Sequence, residues 1–219
     1  MKRLEGPKIG FDGDDPANLV VLLHGYGSDS SDMIGLAKHF AAIMPATVFH
    51  APNAPQRCDR FPDYFQWYPM TPEGVAEPAD VAAISGSLDA FLDDTMQRYG
   101  LDESRTALLG FSQGTALALH AGVRRSRTLA GLIGFSGGLE FPEALPAEIK
   151  SRPPVVIFHG DKDDVAPVSN AHEAAEALRN SGVGVDVHIA RDVGHRVDPT
   201  GFSAAWRFLY KITGLPVPP

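Results

Sequence analysis

The sequence predicts an α/β fold, with a mostly parallel central sheet and helices on both faces. Three observations carry this. Short apolar runs without period-two alternation recur at residues 19–23, 106–109, 129–135 and 154–158, and read as strands covered on both sides. Stretches with apolar residues three and four apart lie between them and read as crossover helices. No repeat, composition shift or low-complexity stretch divides the chain, and 219 residues suit a single domain over 1–219 without a large lid domain.

Taken in order, residues 1–18 are polar and rich in Gly and Pro, and leave open an edge strand or a short hairpin. The run 19–23 ends in His24-Gly25-Tyr26-Gly27. Ser28, Asp29, Ser30 and Ser31 then offer N-caps for a helix carrying Ile34, Leu36, Ala37 and Phe40. A short strand follows at 47–50. Residues 51–78 hold six prolines that break regular structure, interleaved with Phe61, Tyr64, Phe65, Trp67, Tyr68 and Met70. Long loops in compact domains are usually functional, and this one is expected to wall an apolar substrate pocket. From 79 to 99, Val81, Ile84, Leu88, Phe91, Leu92, Thr95 and Tyr99 mark one buried helical face, stopped by Gly100. Further strands at 129–135 and 154–158 precede a helix over 168–180, with Gly182 as its stop. A strand over 183–189 leads to a last helix. Asp198-Pro199 caps that helix, and the tail 215–219 is expected to be loose.

Composition excludes several function classes. A formal net charge of −8 does not suit a nucleic-acid-binding surface. The one basic cluster, Arg124-Arg125-Ser126-Arg127, is expected to cap the preceding helix through its dipole. Cys58 is the single cysteine, so no intrachain disulfide forms. The charged N-terminus has no apolar run behind it, and no apolar run reaches bilayer length. The expectation is a cytoplasmic protein without stable membrane insertion, monomeric or homodimeric.

The chemistry concentrates at Gly110-Phe111-Ser112-Gln113-Gly114, between an apolar strand and a buried helix. A strand that turns at once into a helix strains its corner residue and lifts the Ser112 hydroxyl above the sheet edge. A serine hydroxyl needs a base, and the base needs a group to orient it. The acid is expected in His159-Gly160-Asp161-Lys162-Asp163-Asp164, straight after a strand. One of the three aspartates would face the imidazole, and the other two would serve as turn formers. Of the later histidines, His172 lies within a helix and His188 on the opposite face of the last strand. His195, in the turn after that strand, is the one in topological reach. His24 and His159 precede glycines and read as structural histidines bonding turn backbone. No paired metal-ligand spacing occurs, and no metal or organic cofactor is expected. The oxyanion donors are assigned to the amides of Gln113 and Tyr26.

These motifs are similar to those of the carboxylesterase/phospholipase family of small α/β-hydrolases that includes the acyl-protein thioesterases. The matching stretches are Leu23-His24-Gly25-Tyr26-Gly27, Gly110-Phe111-Ser112-Gln113-Gly114, His159-Gly160-Asp161-x-Asp163 and Gly194-His195, in the family's order. The resemblance implies an α/β-hydrolase fold, and it selects Asp163 as the acid, ahead of Asp164. It also implies that Phe65, Trp67 and Tyr68 line the acyl site. Tyr26 stands where the family often has Leu, which narrows the cleft. The implied activity is serine carboxylesterase action on short- to medium-chain acyl esters. Thioesters or lysophospholipids on the same site form the second reading, and a non-catalytic binding protein the third.

Overall fold

The computed structural model describes residues 3–214. The elements, in chain order, are β1 (Lys8–Gly10), β2 (Asn18–Leu23), α1 (Ser30–Ala41), β3 (Thr47–His50), β4 (Gln56–Arg57) and β5 (Phe65–Gln66). After them come α2 (Pro78–Tyr99), β6 (Thr106–Phe111), α3 (Gln113–Gly122), β7 (Gly131–Phe135), α4 (Leu145–Glu148) and β8 (Val155–Gly160). The chain closes with α5 (Ser169–Asn180), β9 (Val185–Ala190) and α6 (Pro199–Thr213). The tail expected at 215–219 lies outside the described residues.

Seven strands form one sheet in the order β1-β3-β2-β6-β7-β8-β9. β1 is the edge strand left open by the sequence, and it runs antiparallel to β3. Every other neighbouring pair is parallel. Alternate residues of β2 feed two separate cores. Leu19, Val21 and Leu23 pack with Leu88, Leu117 and Leu178 of α2, α3 and α5. Val20 and Leu22 pack with Phe40 and Leu209 of α1 and α6. Both faces are therefore covered, which is why the strands read as unbroken apolar runs. From β2 the chain steps outward to β3 on one side, and from β6 it steps outward through β7, β8 and β9 on the other. The order thus reverses between β2 and β6, and a crevice opens beyond the carboxyl ends of those two strands.

Helix boundaries follow local chemistry. The Asp29 carboxylate accepts the Ser31 amide at the start of α1, and Asp198 accepts the Thr200 and Gly201 amides at the start of α6. Gly100 ends α2 in the left-handed region with φ 63°.

Two expectations need correction. The proline-rich segment 51–78 is not free of regular structure: β4 and β5 pair as a small antiparallel hairpin, and Pro78 opens α2. Pro blocks a helix interior but not its first turn, where its missing N–H costs nothing. The basic cluster also does more than cap α3. Arg124 Nη1 does donate to the His120 carbonyl at the helix end. Arg125, however, is buried and bridges Asp89 and Asp93 of α2 and Glu103. Its guanidinium ties α2 to the segment after α3, because two carboxylates one helical turn apart face it together.

Candidate active site

β6 passes directly into α3 through Ser112. Its backbone sits at φ 53° and ψ −119°, a conformation a non-glycine residue adopts at a cost of about 1–3 kcal/mol. The flanking glycines make the bend possible. A Cβ on Gly110 would lie 2.3 Å from the Gly114 carbonyl oxygen, and one on Gly114 would lie 2.1 Å from the Leu23 carbonyl oxygen. The Ser112 amide donates to the Phe135 carbonyl at 2.8 Å, which fixes the corner to β7. Among the described residues the Ser112 hydroxyl has no hydrogen-bond partner, so no contact of the fold uses it.

The turn after β2 lies against this corner. A Cβ on Gly25 would come within 3.3 Å of Ser112 Cβ. The amides of Tyr26 and Gln113 donate to no protein acceptor among the described residues, whereas the next amide in the turn, of Gly27, donates to the Phe65 carbonyl at 3.0 Å. Gln113 opens α3, so its amide is one of the helix's unpaired N-terminal donors, at the positive end of the dipole.

His24 is buried and holds the turn, as expected of a structural histidine. Its Nε2 accepts the Ala54 amide at 3.0 Å, so Nδ1 carries the proton and donates to the Gly25 carbonyl at 2.8 Å. Burial lowers its pKa and keeps the ring neutral.

Trp67 and Phe65, expected in the pocket wall, sit behind it. Trp67 is fully buried, stacks on His24 at 5.0 Å and donates its indole N–H to the His24 carbonyl at 2.8 Å. Phe65 brackets the turn through its backbone, accepting from Gly27 and donating to the Ser28 carbonyl. The Gln113 side chain completes this lattice: Oε1 accepts the Trp67 amide at 2.9 Å and Nε2 donates to the Tyr68 carbonyl at 2.8 Å. The proline-rich segment thereby locks the β2 turn and the β6–α3 corner to each other. Sequence reading assigned Gln113 a backbone role only. Its side-chain partners lie 45 and 46 residues away, and no local pattern announces them.

Asp163 and His195 meet beyond β8 and β9. His195 Nδ1 lies 2.8 and 3.0 Å from the two Asp163 carboxylate oxygens. An ionised carboxylate only accepts, so Nδ1 donates, and in the neutral imidazole Nε2 is then the acceptor. Burial would raise the Asp163 pKa. The Ala166 amide, the His195 ring and the Val165 amide outweigh it and hold the carboxyl below its ordinary range. Asp163 also forms the turn itself, accepting those two amides at 2.8 and 3.0 Å. The division into one facing aspartate and two turn formers therefore needs correcting: a carboxylate has enough lone pairs for both tasks. Asp161 instead reaches across to the Asp192 amide at 2.7 Å. Asp164 is exposed. His159 bonds the Ala166 carbonyl at 2.9 Å, as a structural histidine, and its ring also lies 3.3 Å from Asp163.

Ser112, Gln113, Tyr26 and His195 line one open cleft of about 1390 Å³. Its apolar wall comes from Phe61, Tyr68, Met70, Phe111 and Phe202. Phe111, next to Ser112 in sequence, packs its ring on His195 at 4.9 Å, so the imidazole stands beside the corner. Among the described residues no cluster of His, Cys, Asp and Glu is arranged to hold a metal, and no helix is long and apolar enough to cross a membrane.

A doubly covered, mostly parallel sheet with a strained serine at a strand-to-helix corner defines an α/β-hydrolase. The phospholipase/carboxylesterase family description matches residues 4–213, and the chain belongs to that family. Esterase PE8 has a crystal structure that superimposes with a TM-score of 0.92 at 40% identity, covering 96% of this chain and all of that one. Esterase YpfH of Escherichia coli K12 is 26% identical over 84% of this chain and 79% of its own. Acyl-protein thioesterase 1 of Gibberella zeae is 26% identical, over 88% and 89%. A relative from Oryza sativa subsp. japonica, 27% identical over 90% and 85%, is described as a probable inactive carboxylesterase. The chain is a carboxylic ester hydrolase by these likenesses.

Proposed function

We infer that this chain is a serine carboxylesterase acting on short- to medium-chain acyl esters through an acyl-enzyme. Ser112 attacks the ester carbonyl. His195 Nε2 takes the hydroxyl proton and returns it to the leaving alcohol. Asp163 holds the His195 tautomer and stabilises the imidazolium. The amides of Tyr26 and Gln113 bind the oxyanion, and water then releases the acid. No metal or organic cofactor enters this scheme. The observation that carries it is the Asp163–His195 contact at 2.8 Å beside a serine held at φ 53°. The chain with one buried cysteine suits a reducing, cytoplasmic setting.

A fluorophosphonate probe is expected to label Ser112 stoichiometrically, read by intact mass and peptide mapping. Labelling elsewhere, or none, rejects the assignment. The likeness to an acyl-protein thioesterase favours thioesters as the second substrate class, and kcat/KM on matched oxygen esters and thioesters separates the two.

Asp161 acts on this chemistry at one remove. It anchors Asp192, which sits in the left-handed region at φ 57°, three residues before His195. Asp161→Ala is expected to lower kcat on p-nitrophenyl esters about tenfold, because misplaced catalytic groups are costly. Asp161→Asn keeps an acceptor oxygen and should recover most of the rate. Equal loss in both variants would remove Asp161 from the positioning role.

A further inference from the structure

One carboxylate in the cleft has no part in the scheme above. Glu140 lies on the loop after β7 and lines the cleft with Tyr68. The fully buried Tyr68 donates its hydroxyl to Glu140 Oε1 at 2.9 Å. Tyr68 is itself held from behind, since its carbonyl accepts Gln113 Nε2. The Glu140 carbonyl lies 3.3 Å from His120 Nδ1. The following residue, Phe141, is forced to φ 53°, and its ring meets His120 edge-on at 6.3 Å. Backbone strain, the segment after β5 and both ends of α3 therefore converge on the placement of this acidic residue.

A wall meant only for an apolar chain would be cheaper with an apolar residue there, because a half-desolvated carboxylate is costly. Burial pushes the Glu140 pKa up, and only the Tyr68 hydroxyl opposes it. No Lys or Arg pairs with Glu140 among the described residues. His120 does not neutralise it either: burial first, and Arg124 second, lower the His120 pKa to about 4. The other charged groups on the cleft are mixed with a slight acidic excess, Asp32, Glu73 and Asp198 against Arg60 and Arg196, and neither arginine pairs with Glu140. A carboxylate in that field lacks a cation, and the open side of the cleft is where one can arrive.

We propose that Glu140, presented by Tyr68, selects esters carrying an ammonium or hydroxyl group on the portion that lies along this wall, and disfavours esters with a carboxylate or phosphate there. This rests on the serine-esterase reading of the same cleft. Glu140 is a specificity-determining residue and takes no part in proton transfer to the ester.

Two isosteric pairs test it. Butyrylcholine against 3,3-dimethylbutyl butyrate places the charge on the alcohol side. The p-nitrophenyl esters of 6-aminohexanoate and heptanoate place it on the acyl side. In at least one pair the cationic member is expected to show a kcat/KM about tenfold higher or more, the scale of one partly screened charge–charge attraction, which a quaternary ammonium makes without an N–H. In Glu140→Gln, whose amide oxygen still accepts the Tyr68 hydroxyl, that ratio should collapse towards one. Parity in both pairs with the unmodified enzyme, or a preference that survives Glu140→Gln, overturns the proposal, whereas hydrolysis of neither member overturns the esterase reading on which it rests. The same pairs run with Ser112→Ala keep the two readings apart. Activity that survives that change rejects the serine assignment, while the charge ratio still reports on Glu140.

Discussion

Ser112→Ala is expected to abolish hydrolysis of p-nitrophenyl acyl esters, lowering kcat by about 10⁴-fold or more, the scale of removing an enzyme's nucleophile. The fold should survive intact. The Ser112 hydroxyl has no hydrogen-bond partner among the described residues, and alanine keeps the Cβ that the corner already accommodates at φ 53°. Thermal unfolding should therefore stay within a few degrees of the parent. Steady-state rates with a melting curve check both halves. Retained turnover would mean that another residue attacks the ester.

Asp163→Asn is expected to cost about 10³–10⁴-fold in kcat, because an amide can stabilise the wrong imidazole tautomer and carries no charge to oppose the imidazolium. Asn keeps one oxygen for the Val165 and Ala166 amides, so the turn should hold. Asp163→Ala removes that oxygen as well. It should lose a similar share of activity and, in addition, about 1–3 kcal/mol of stability from the amides left without a partner. Denaturant melts of the two variants separate the catalytic role from the structural one. The parent's pH dependence carries a matching sign. The Asp163 carboxyl is held below its ordinary range, so its stabilising contribution is complete above the unfolded-state pKa and is lost as pH falls through the lower folded value.

Much of the architecture was legible in local pattern. The unbroken apolar runs marked β2, β6, β7 and β8 because each is buried on both faces, and burial on both faces leaves no reason for alternation. Asp29, Gly100 and Asp198-Pro199 marked helix ends because caps act through residues only a few positions away. The meeting of His195 with Asp163 was legible from topology, since both lie in turns after neighbouring parallel strands, β9 and β8. The aromatic segment was harder. Trp67 and Tyr68 are adjacent and both fully buried, yet Trp67 seals the β2 turn while Tyr68 backs the cleft wall and bonds Glu140. Composition alone does not separate a ring that walls a cavity from one that supports the wall.

By itself, the sequence determined the α/β class, the strained Ser112 corner between two glycines, and that residue 195 follows a strand whose neighbour ends near Asp163. Each of these depends on neighbours within a few residues or on the order of strands. Only the tertiary structure decided which rings reach the cleft, that the Gln113 side chain couples the corner to the segment around Trp67, that Arg125 clamps α2, and that Tyr68 holds Glu140. These are pairings of single side chains across 32 to 72 residues of chain. One buried donor selects one acceptor only after the backbone has brought both to the same place, and no short-range periodicity encodes that choice.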